Sequence, residues 1–284
     1  MAYLGDERPG DAVAALERAV TALPNHGEGW AKLGDARHAN GAPTGAEEAY
    51  RKALGLGFEA ARRGLGILLA EDFRDDEAAE ALEAAAQLQT EDRALFAALA
   101  DVQERRGDLD RALACYERAV QLEGGVEAAM DGDVLFGYGR ALFTKKQADA
   151  ALRALSRAVT LLPGSADAHH VLGQAQAKLG QPDAAIASYR KAVDLAPGWA
   201  DALVSLGRLY GKLGRDAEAL DPLTQAAGMA QEDLTTQLSL AGVLERLGRP
   251  ADAVAPLQQA SSLSPDDPAI AARLGAACAA AGRW

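Results

Sequence analysis

The sequence repeats itself every 34 residues. Residues 177–197, 211–231 and 245–265 are close variants of one another, and each contains a Leu-Gly turn entry followed by alanines at fixed spacing. Leu-Gly or a related pair marks each repeat, and alanine follows 12 and 19 residues after its second member. A large apolar or aromatic residue stands 16 residues after it. A fixed period of this length indicates a chain built from stacked modules.

Each repeat contains two helical patterns of about 13 residues joined by a glycine turn. Prolines end the second pattern, because proline cannot continue the hydrogen-bond ladder of a helix. They are Pro24, Pro163, Pro197 and Pro265. The small residues allow two helices to cross closely, and the large residue fills the remaining space. One helix pair cannot bury both of its faces, so pairs must stack on their neighbours. The pattern predicts an all-α fold.

The recurring residues and the distances between them resemble the tetratricopeptide repeat. The resemblance rests on Trp30, Leu33, Gly34, Ala46, Tyr50 and Ala53 in one repeat, and on Leu172, Gly173, Ala185, Tyr189, Ala192 and Pro197 in another. It covers essentially the whole chain. The resemblance implies a right-handed superhelical α-solenoid of stacked antiparallel helix pairs that works as a protein-interaction scaffold and not as an enzyme.

We predict one solenoid over residues 1–284. Its parts are a half repeat at 1–26, repeats at about 27–58, 59–92, 93–131, 132–165, 166–199, 200–233 and 234–267, and a half repeat at 268–284. Five extra residues within 123–134 predict a longer loop. Prolines 222 and 256 are expected inside second helices. Because both ends stop within a repeat, we expect a piece of a longer protein, or ends that meet another copy.

The net charge of −12 is carried by the first half of the chain. Residues 1–131 contain 26 acidic and 14 basic side chains, whereas residues 132–284 contain 15 of each. Nucleic-acid binders present a basic face, so this balance argues against such a partner. No apolar run is long enough to cross a bilayer, and no secretory signal opens the sequence. We therefore expect a cytoplasmic protein without membrane insertion.

The sequence lacks the patterns of common catalytic, cofactor and metal sites. It has no glycine-rich phosphate loop after a strand, no H-E-x-x-H and no cysteine pair at zinc spacing. We predict no enzyme activity, no cofactor and no metal, and we interpret Cys115 and Cys278 as inert thiols. Of the two adjacent histidines, His169 is predicted to pack between helices and His170 is predicted to point toward the groove. The acidic residues of 71–83 are interpreted as a solvated turn and helix start.

The resemblance places ligands along the concave face of the first helices. Counted from the repeat glycine, the inward positions are acidic in the first half of the chain, as at Asp35, Asp101 and Glu104. They become basic in the second half. The predicted partner-binding residues are Phe136, Arg140, Phe143, His170, Gln174, Lys178, Val204, Arg208, Lys212, Leu238 and Arg246. Asparagine is absent from these positions, which disfavours the family's carboxylate-clamp mode.

We therefore predict a scaffold or adaptor that binds a peptide, helix or small domain with an acidic segment in this groove. By analogy, its setting would be a bacterial multiprotein assembly of the secretion, envelope, pilus or motility type. Two alternatives stay open at this level. The first is a self-assembling scaffold that associates through its uncapped ends. The second is the regulatory arm of an enzyme whose catalytic domain lies outside this chain.

Overall fold

The computed structural model describes residues 9–282, which form 16 α-helices and, within that range, no β-strand. Contacts between residues divide the chain into two compact units, residues 1–141 and 142–284. The assignment of the whole chain to one continuous solenoid, with its repeat boundaries, stays a prediction. Within residues 9–282 no helix combines the length and the apolar character needed to cross a lipid bilayer.

Unit 1 contains seven complete helices and most of an eighth. They are α1 (Pro9–Ala22), α2 (Gly27–Ala39), α3 (Pro43–Gly55), α4 (Ala61–Glu71), α5 (Asp75–Leu88), α6 (Arg93–Arg105), α7 (Leu109–Leu122) and α8 (Gly132–Thr144). The strongest contacts join α2 to α3, α4 to α5 and α6 to α7, which are the predicted pairs. Short turns connect the two members of each pair, so they run antiparallel.

Unit 2 begins within α8 and contains eight further helices. They are α9 (Ala148–Leu161), α10 (Ala166–Lys178), α11 (Pro182–Leu195), α12 (Ala200–Lys212), α13 (Asp216–Met229), α14 (Leu234–Arg246), α15 (Val254–Leu263) and α16 (Pro268–Ala280). Here α10 packs on α11, α12 on α13 and α14 on α15. The first helices also contact one another along the unit, α10 with α12 and α12 with α14.

The periodic alanines form the crossing points of the helix pairs. All fourteen of them have no exposed surface: Ala46, Ala53, Ala78, Ala85, Ala112, Ala119, Ala151, Ala158, Ala185, Ala192, Ala219, Ala226, Ala253 and Ala260. The large residue between them covers the repeat glycine. A Cβ added to Gly173 would stand 2.6 Å from Cδ1 of Tyr189, and one added to Gly207 would stand 2.5 Å from Cγ of Leu223. The spacing within the repeat therefore corresponds to contacts between specific residues of the two helices.

Side-chain caps begin several first helices. The Asp92 carboxylate accepts the N–H of Leu95 at the start of α6, and the Asp233 carboxylate accepts the N–H groups of Thr235 and Thr236 at the start of α14. Such caps satisfy backbone donors that have no partner inside the helix. The predicted all-α fold of stacked helix pairs is confirmed by these elements.

The longer loop lies between α7 and α8, where residues 123–128 form turns and a bend and residues 129–131 are irregular. Arg93 closes it from α6, because its guanidinium lies 3.1 Å from Glu123 Oε1 and 2.6 Å from Asp131 Oδ2. The Asp131 carboxylate also accepts the N–H of Val134, which caps the start of α8. The insertion is therefore an ordered connection tied to the preceding first helix.

One of the two prolines predicted in a helix interior lies in the first turn of its helix instead. Pro222 is inside α13, as expected. Pro256 is the third residue of α15, because residues 250–253 form a turn and the helix starts at Val254. The interpretation of Pro256 as an interior proline is wrong. In a first turn the missing N–H has no helical acceptor to lose, so the residue fits without a kink.

Candidate functional site

In unit 1, two tyrosines from second helices reach the polar side chains of the first helices. The Tyr50 hydroxyl donates to Asp35 Oδ1 at 2.8 Å. The Tyr116 hydroxyl lies 2.6 Å from Asp101 Oδ1 and 3.0 Å from Glu104 Oε2. Burial, together with Asp101, raises the pKa of Tyr116, and burial also raises the pKa of the Asp101 carboxyl. The first-helix acids that the sequence places in the groove therefore act partly as acceptors for buried phenols.

Arg140 belongs to the same network. Its Nη2 donates to Glu104 Oε2 at 2.8 Å, and its guanidinium carbon lies 5.1 Å from the centre of the Phe136 ring. This geometry is a cation–π contact. Phe136 is half-buried beneath it. Phe143, which belongs to unit 2, is also half-buried. Arg140 is thus an ion-pair partner of an acid one repeat earlier.

Other charges along the first helices of unit 1 are also paired. His38 Nε2 lies 2.6 Å from Glu71 Oε2, and Arg63 donates to the carboxylate of Asp92. A cavity of about 210 Å³ lies against Asp35, Tyr50 and Arg63, with Phe58 in its wall. Its charged side chains already have partners within the chain. This part of the groove has a concave surface, but its charged side chains are already paired with other residues of the chain.

Unit 2 contains a pocket between α12 and α14, which we call the basic pocket. Its volume is about 320 Å³, and it is lined by Gly207, Arg208, Gly211, Lys212, Leu223, Leu238, Ser239, Gly242, Val243 and Arg246. Four of the predicted partner-binding residues therefore lie around one concavity. Leu223 and Val243 are buried and Leu238 is half-buried, so they provide an apolar floor.

The three cations of the basic pocket differ in their partners. Arg246 holds Asp216 through Nη2–Oδ1 at 2.7 Å and two further contacts of its Nε at 3.0 Å. Hydrogen bonding to Asp216 raises the pKa of Arg246. Arg208 and Lys212 are exposed, and neither has an ion-pair partner among residues 9–282. These two are the cations that the pocket offers to a ligand.

Arg208 has one acidic neighbour at longer range. Hydrogen bonds from Thr236, with a further contribution from the charge of Arg208, hold the pKa of Asp233 below its ordinary value. The Asp233 carboxylate is occupied by the side chain and backbone of Thr236 and by the backbone of Thr235. Its oxygens are therefore used in capping α14, and the Arg208 guanidinium keeps its donors.

Two glycines open the basic pocket. Gly211 and Gly242 occupy inward positions at which other repeats carry side chains such as Glu104 or Asp101. A Cβ on Gly211 would stand 3.0 Å from Arg246 Nη2, and a Cβ on Gly242 would stand 3.5 Å from Arg246 Nη1. The guanidinium of Arg246 therefore lies across space that a side chain would otherwise take.

Gly211 and Gly242 are absent from the predicted contact residues, because a prediction based on side chains gives no weight to glycine. Their signal was present, since both stand at the inward spacing of their repeats. Gly207, Leu223, Ser239 and Val243 also line the basic pocket. Leu223 enters because its side chain passes over Gly207 toward the pocket.

His170 lies in a different place from the prediction. It is only 7% exposed, its ring centre lies 4.6 Å from Trp199 and 5.6 Å from Tyr189, and its Nε2 lies 3.0 Å from Ser205 Oγ. Burial lowers the pKa of His170, which favours the neutral imidazole. The expectation that it faces an open groove is wrong, because Trp199, from the loop before α12, covers it.

The remaining predicted residues of unit 2 lie on two first helices. On α10, Gln174 is half-buried and Lys178 is exposed, and on α12, Val204 is half-buried. His169 is half-buried and therefore less covered than its neighbour. The structure gathers Arg208, Lys212, Leu238 and Arg246 around the basic pocket, whereas Gln174, Lys178 and Val204 do not line it.

The reactive side chains of the described residues are few. Cys115 and Cys278 are free thiols, and burial raises the pKa of Cys115 to about 11, so it stays protonated at neutral pH. No group of three or more His, Cys, Asp or Glu side chains between residues 9 and 282 could hold a metal ion.

Two tetratricopeptide repeat models match the sequence. One covers residues 1–57 and 97–166, and the other covers residues 166–198, so together they span more than half of the chain. The chain belongs to the tetratricopeptide repeat family. A comparison with curated proteins finds no match.

Several solved structures share this tetratricopeptide fold. YrrB, described as a tetratricopeptide repeat protein with an unusual peptide-binding site, has a TM-score of 0.59 and 22% identity, over 70% of this chain and 99% of its own. PilF from Pseudomonas aeruginosa has a TM-score of 0.59 and 19% identity, over 78% and 97%. MamA has a TM-score of 0.54 and 21% identity, over 61% and 92%. At these identities the likeness concerns the fold.

Proposed function

We propose that this protein is a non-enzymatic interaction scaffold that binds a protein partner through an acidic segment held at the basic pocket. Tetratricopeptide repeats generally serve as interaction scaffolds, which supports the class of function. The observation that carries the proposal is the pair Arg208 and Lys212, two exposed cations that have no ion-pair partner within residues 9–282 and that stand beside an apolar floor.

The chemistry of the pocket supports a ligand that combines acidic and apolar side chains. Carboxylates complement the two free cations, and the floor of Leu223, Leu238 and Val243 gains from contact with an apolar side chain. Glycine at 211 and 242 leaves room for the Arg246 guanidinium. A segment with an aromatic or aliphatic residue beside Asp or Glu complements both the cations and the floor. A volume of about 320 Å³ suits one or two such side chains.

Gln174, Lys178 and Val204 extend the proposed contact surface along α10 and α12. Phe136 and Arg140 are proposed as a second contact region in unit 1, where an arginine held over a phenylalanine presents a rigid surface. Phe143 is proposed as a separate contact residue of unit 2. The proposed setting, by analogy, is an adaptor in a bacterial multiprotein assembly of the secretion, envelope, pilus or motility type. The cytoplasmic location stays a prediction.

A binding measurement with a defined probe tests the proposal. The probe is a fluorescein-labelled peptide in which Phe alternates with Glu, titrated with the full chain and followed by fluorescence anisotropy. We expect Arg208→Glu/Lys212→Glu to weaken binding at least tenfold, because two attractive charges become repulsive. Binding of the wild type should also weaken as salt rises, since exposed charges are screened.

A matched control separates this site from general charge effects. Arg153→Glu/Lys191→Glu makes the same change in net charge at exposed positions of second helices in unit 2. The control should bind within about twofold of the wild type, because general electrostatic attraction between exposed charges is screened over about a Debye length. Equal loss in both double variants would mean that the peptide senses only net charge, and the proposed site would be abandoned.

A further inference from the structure

The turn between α4 and α5 carries an aromatic residue, whereas six other described turns of this kind carry glycine and the turn between α8 and α9 carries Lys146. Six such turns hold a glycine with positive φ between 67° and 79°, at positions 41, 107, 180, 214, 248 and 282. Phe73 stands at the equivalent place with φ of 57°. The left-handed conformation is unfavourable for a residue with a Cβ, and glycine adopts it without strain. The chain therefore keeps a strained phenylalanine where glycine would fit.

Phe73 is also 76% exposed, so burial in the folded unit does not explain it. Its ring has a fixed support, because the Arg105 guanidinium carbon lies 5.4 Å from the ring centre. That guanidinium is held by Asp75, with Nη2–Oδ1 at 2.6 Å, and it donates to the backbone oxygen of Ala70 at 3.1 Å. An exposed aromatic ring on an anchored cation is a preformed contact group.

Acidic residues flank Phe73 in the sequence. Residues 71–76, which we call the aromatic turn, read Glu-Asp-Phe-Arg-Asp-Asp. Glu71 pairs with His38, Asp75 with Arg105 and Asp76 with Arg106. The exposed carboxylate of Asp72 has no ion-pair partner among residues 9–282. The aromatic turn thus presents an apolar ring beside a free negative charge.

The basic pocket of unit 2 has the opposite features. Its exposed cations, Arg208 and Lys212, stand beside an apolar floor, and its volume suits a side chain the size of a phenylalanine ring with its neighbours. We propose that the aromatic turn of one copy docks in the basic pocket of a second copy of this chain. This inference rests on the proposed function, because it uses the same pocket and names the segment that fills it.

The geometry of such a contact is heterologous, since the surface on one copy differs from the surface on the next. Each copy has one aromatic turn and one basic pocket, so two copies that exchange both contacts close as a dimer, and copies that do not continue into a larger ring or a linear assembly. The charge distribution agrees with this contact, because the excess negative charge lies in residues 1–131 and the pocket lies outside them.

Sedimentation velocity of the full chain tests the inference. The wild type should gain mass as its concentration rises from about 1 to about 200 µM, and added salt should reverse the gain. Phe73→Gly and Arg208→Glu/Lys212→Glu should each remain monomeric. A wild type that stays monomeric throughout, or a Phe73→Gly variant that associates like the wild type, would overturn the inference.

Mixing the two variants gives the sharpest outcome. Phe73→Gly keeps an intact basic pocket, and the double variant keeps an intact aromatic turn. An equimolar mixture should form heterodimers and nothing larger, because each dimer has one functional contact and no second one to extend it. A mixture that stays monomeric would contradict the proposed pairing of surfaces.

A second left-handed turn residue provides the matched control. Lys146 has φ of 62°, and Lys146→Gly removes the same kind of strain at a turn outside the aromatic turn. Its assembly should equal that of the wild type, and loss of assembly would show that turn flexibility, and not the Phe73 ring, is responsible. Binding of the labelled acidic peptide by a chain that never self-associates would leave the proposed function intact while removing this inference.

Discussion

At the scale of single residues, the side chain that covers the repeat glycine has two roles. Tyr50 and Tyr189 both lie against a glycine of the paired first helix, Gly34 and Gly173. The Tyr50 hydroxyl continues into the groove and binds a carboxylate, whereas the Tyr189 hydroxyl makes no hydrogen bond within residues 9–282. Burial raises the pKa of Tyr189 to about 12. The side chain at this repeat position thus packs on the repeat glycine in both units, and in unit 1 its hydroxyl also joins a polar network.

This difference predicts unequal effects of removing the hydroxyl. Tyr116→Phe leaves Asp101 and Glu104 without their shared donor and should lower the free energy of unfolding by about 1–3 kcal/mol. Tyr189→Phe should change it by less than about 0.5 kcal/mol. Urea denaturation followed by circular dichroism checks both. Similar losses in the two variants would mean that the phenol–carboxylate contacts contribute little.

The sequence predicts residue roles where spacing decides them and fails where a distant neighbour decides them. The buried alanines follow from the period alone. The burial of His170 depends on Trp199, which lies 29 residues later and belongs to a loop. The pairing of Arg140 with Glu104 spans 36 residues, so an inward position could not reveal whether its charge is free. Long-range contacts of this kind have no periodic signal.

At the scale of elements, close helix crossings determine which residues the first helices tolerate. Gly173 on α10 is in contact with Tyr189, whereas Gly275 on α16 occupies the same repeat position with no atom within 4 Å of an added Cβ. Both glycines therefore lie in a helical backbone, but Gly173 is closely packed and Gly275 is not. Comparing them separates intrinsic helix propensity from the fit between helices.

We expect opposite signs for alanine at these positions. Gly173→Ala should lower the free energy of unfolding by roughly 1–3 kcal/mol, because Tyr189 must shift to relieve the overlap. Gly275→Ala should raise it by up to about 1 kcal/mol, because alanine is the better helix former. Thermal unfolding followed by circular dichroism measures both. A stabilising Gly173→Ala would show that the crossing adapts without cost.

Element boundaries were less predictable than element pairs. The period gives the order of helix pairs, but the late start of α15 depends on a local turn, in which Arg249 Nε lies 2.7 Å from Asp252 Oδ2. The turn residues Phe73 and Lys146 also break the glycine pattern, at a cost of roughly 1–2 kcal/mol each. Such exceptions obey local chemistry that a 34-residue average conceals.

At the scale of the whole molecule, each unit is held together by contacts between near neighbours along the sequence. Within a unit, a helix contacts the next helix and, among first helices, the one after that. Stability is then approximately a sum of local terms, and damage to one repeat has a limited range. The −12 charge belongs to residues 1–131, so salt should affect the two units to different degrees.

Hydrogen exchange can measure how far along the chain the damage to one repeat extends. In Gly173→Ala, the amides of α10 and α11 and of their neighbour α12 should lose protection, while those of α2 and α3 should exchange as in the wild type. Mass spectrometry of peptic fragments provides the comparison. A uniform loss of protection from α2 to α14 would show that the chain unfolds as one cooperative body.

The covering of each repeat glycine by a residue 16 positions later has a genetic consequence. The two halves of that fit are encoded within one stretch of 34 codons, as for Gly173 and Tyr189. A tandem duplication of residues 166–199 in the gene therefore copies a complete fit together with the surfaces that meet both neighbours. Descendants of such a gene can gain or lose a module in one step without inventing a new core.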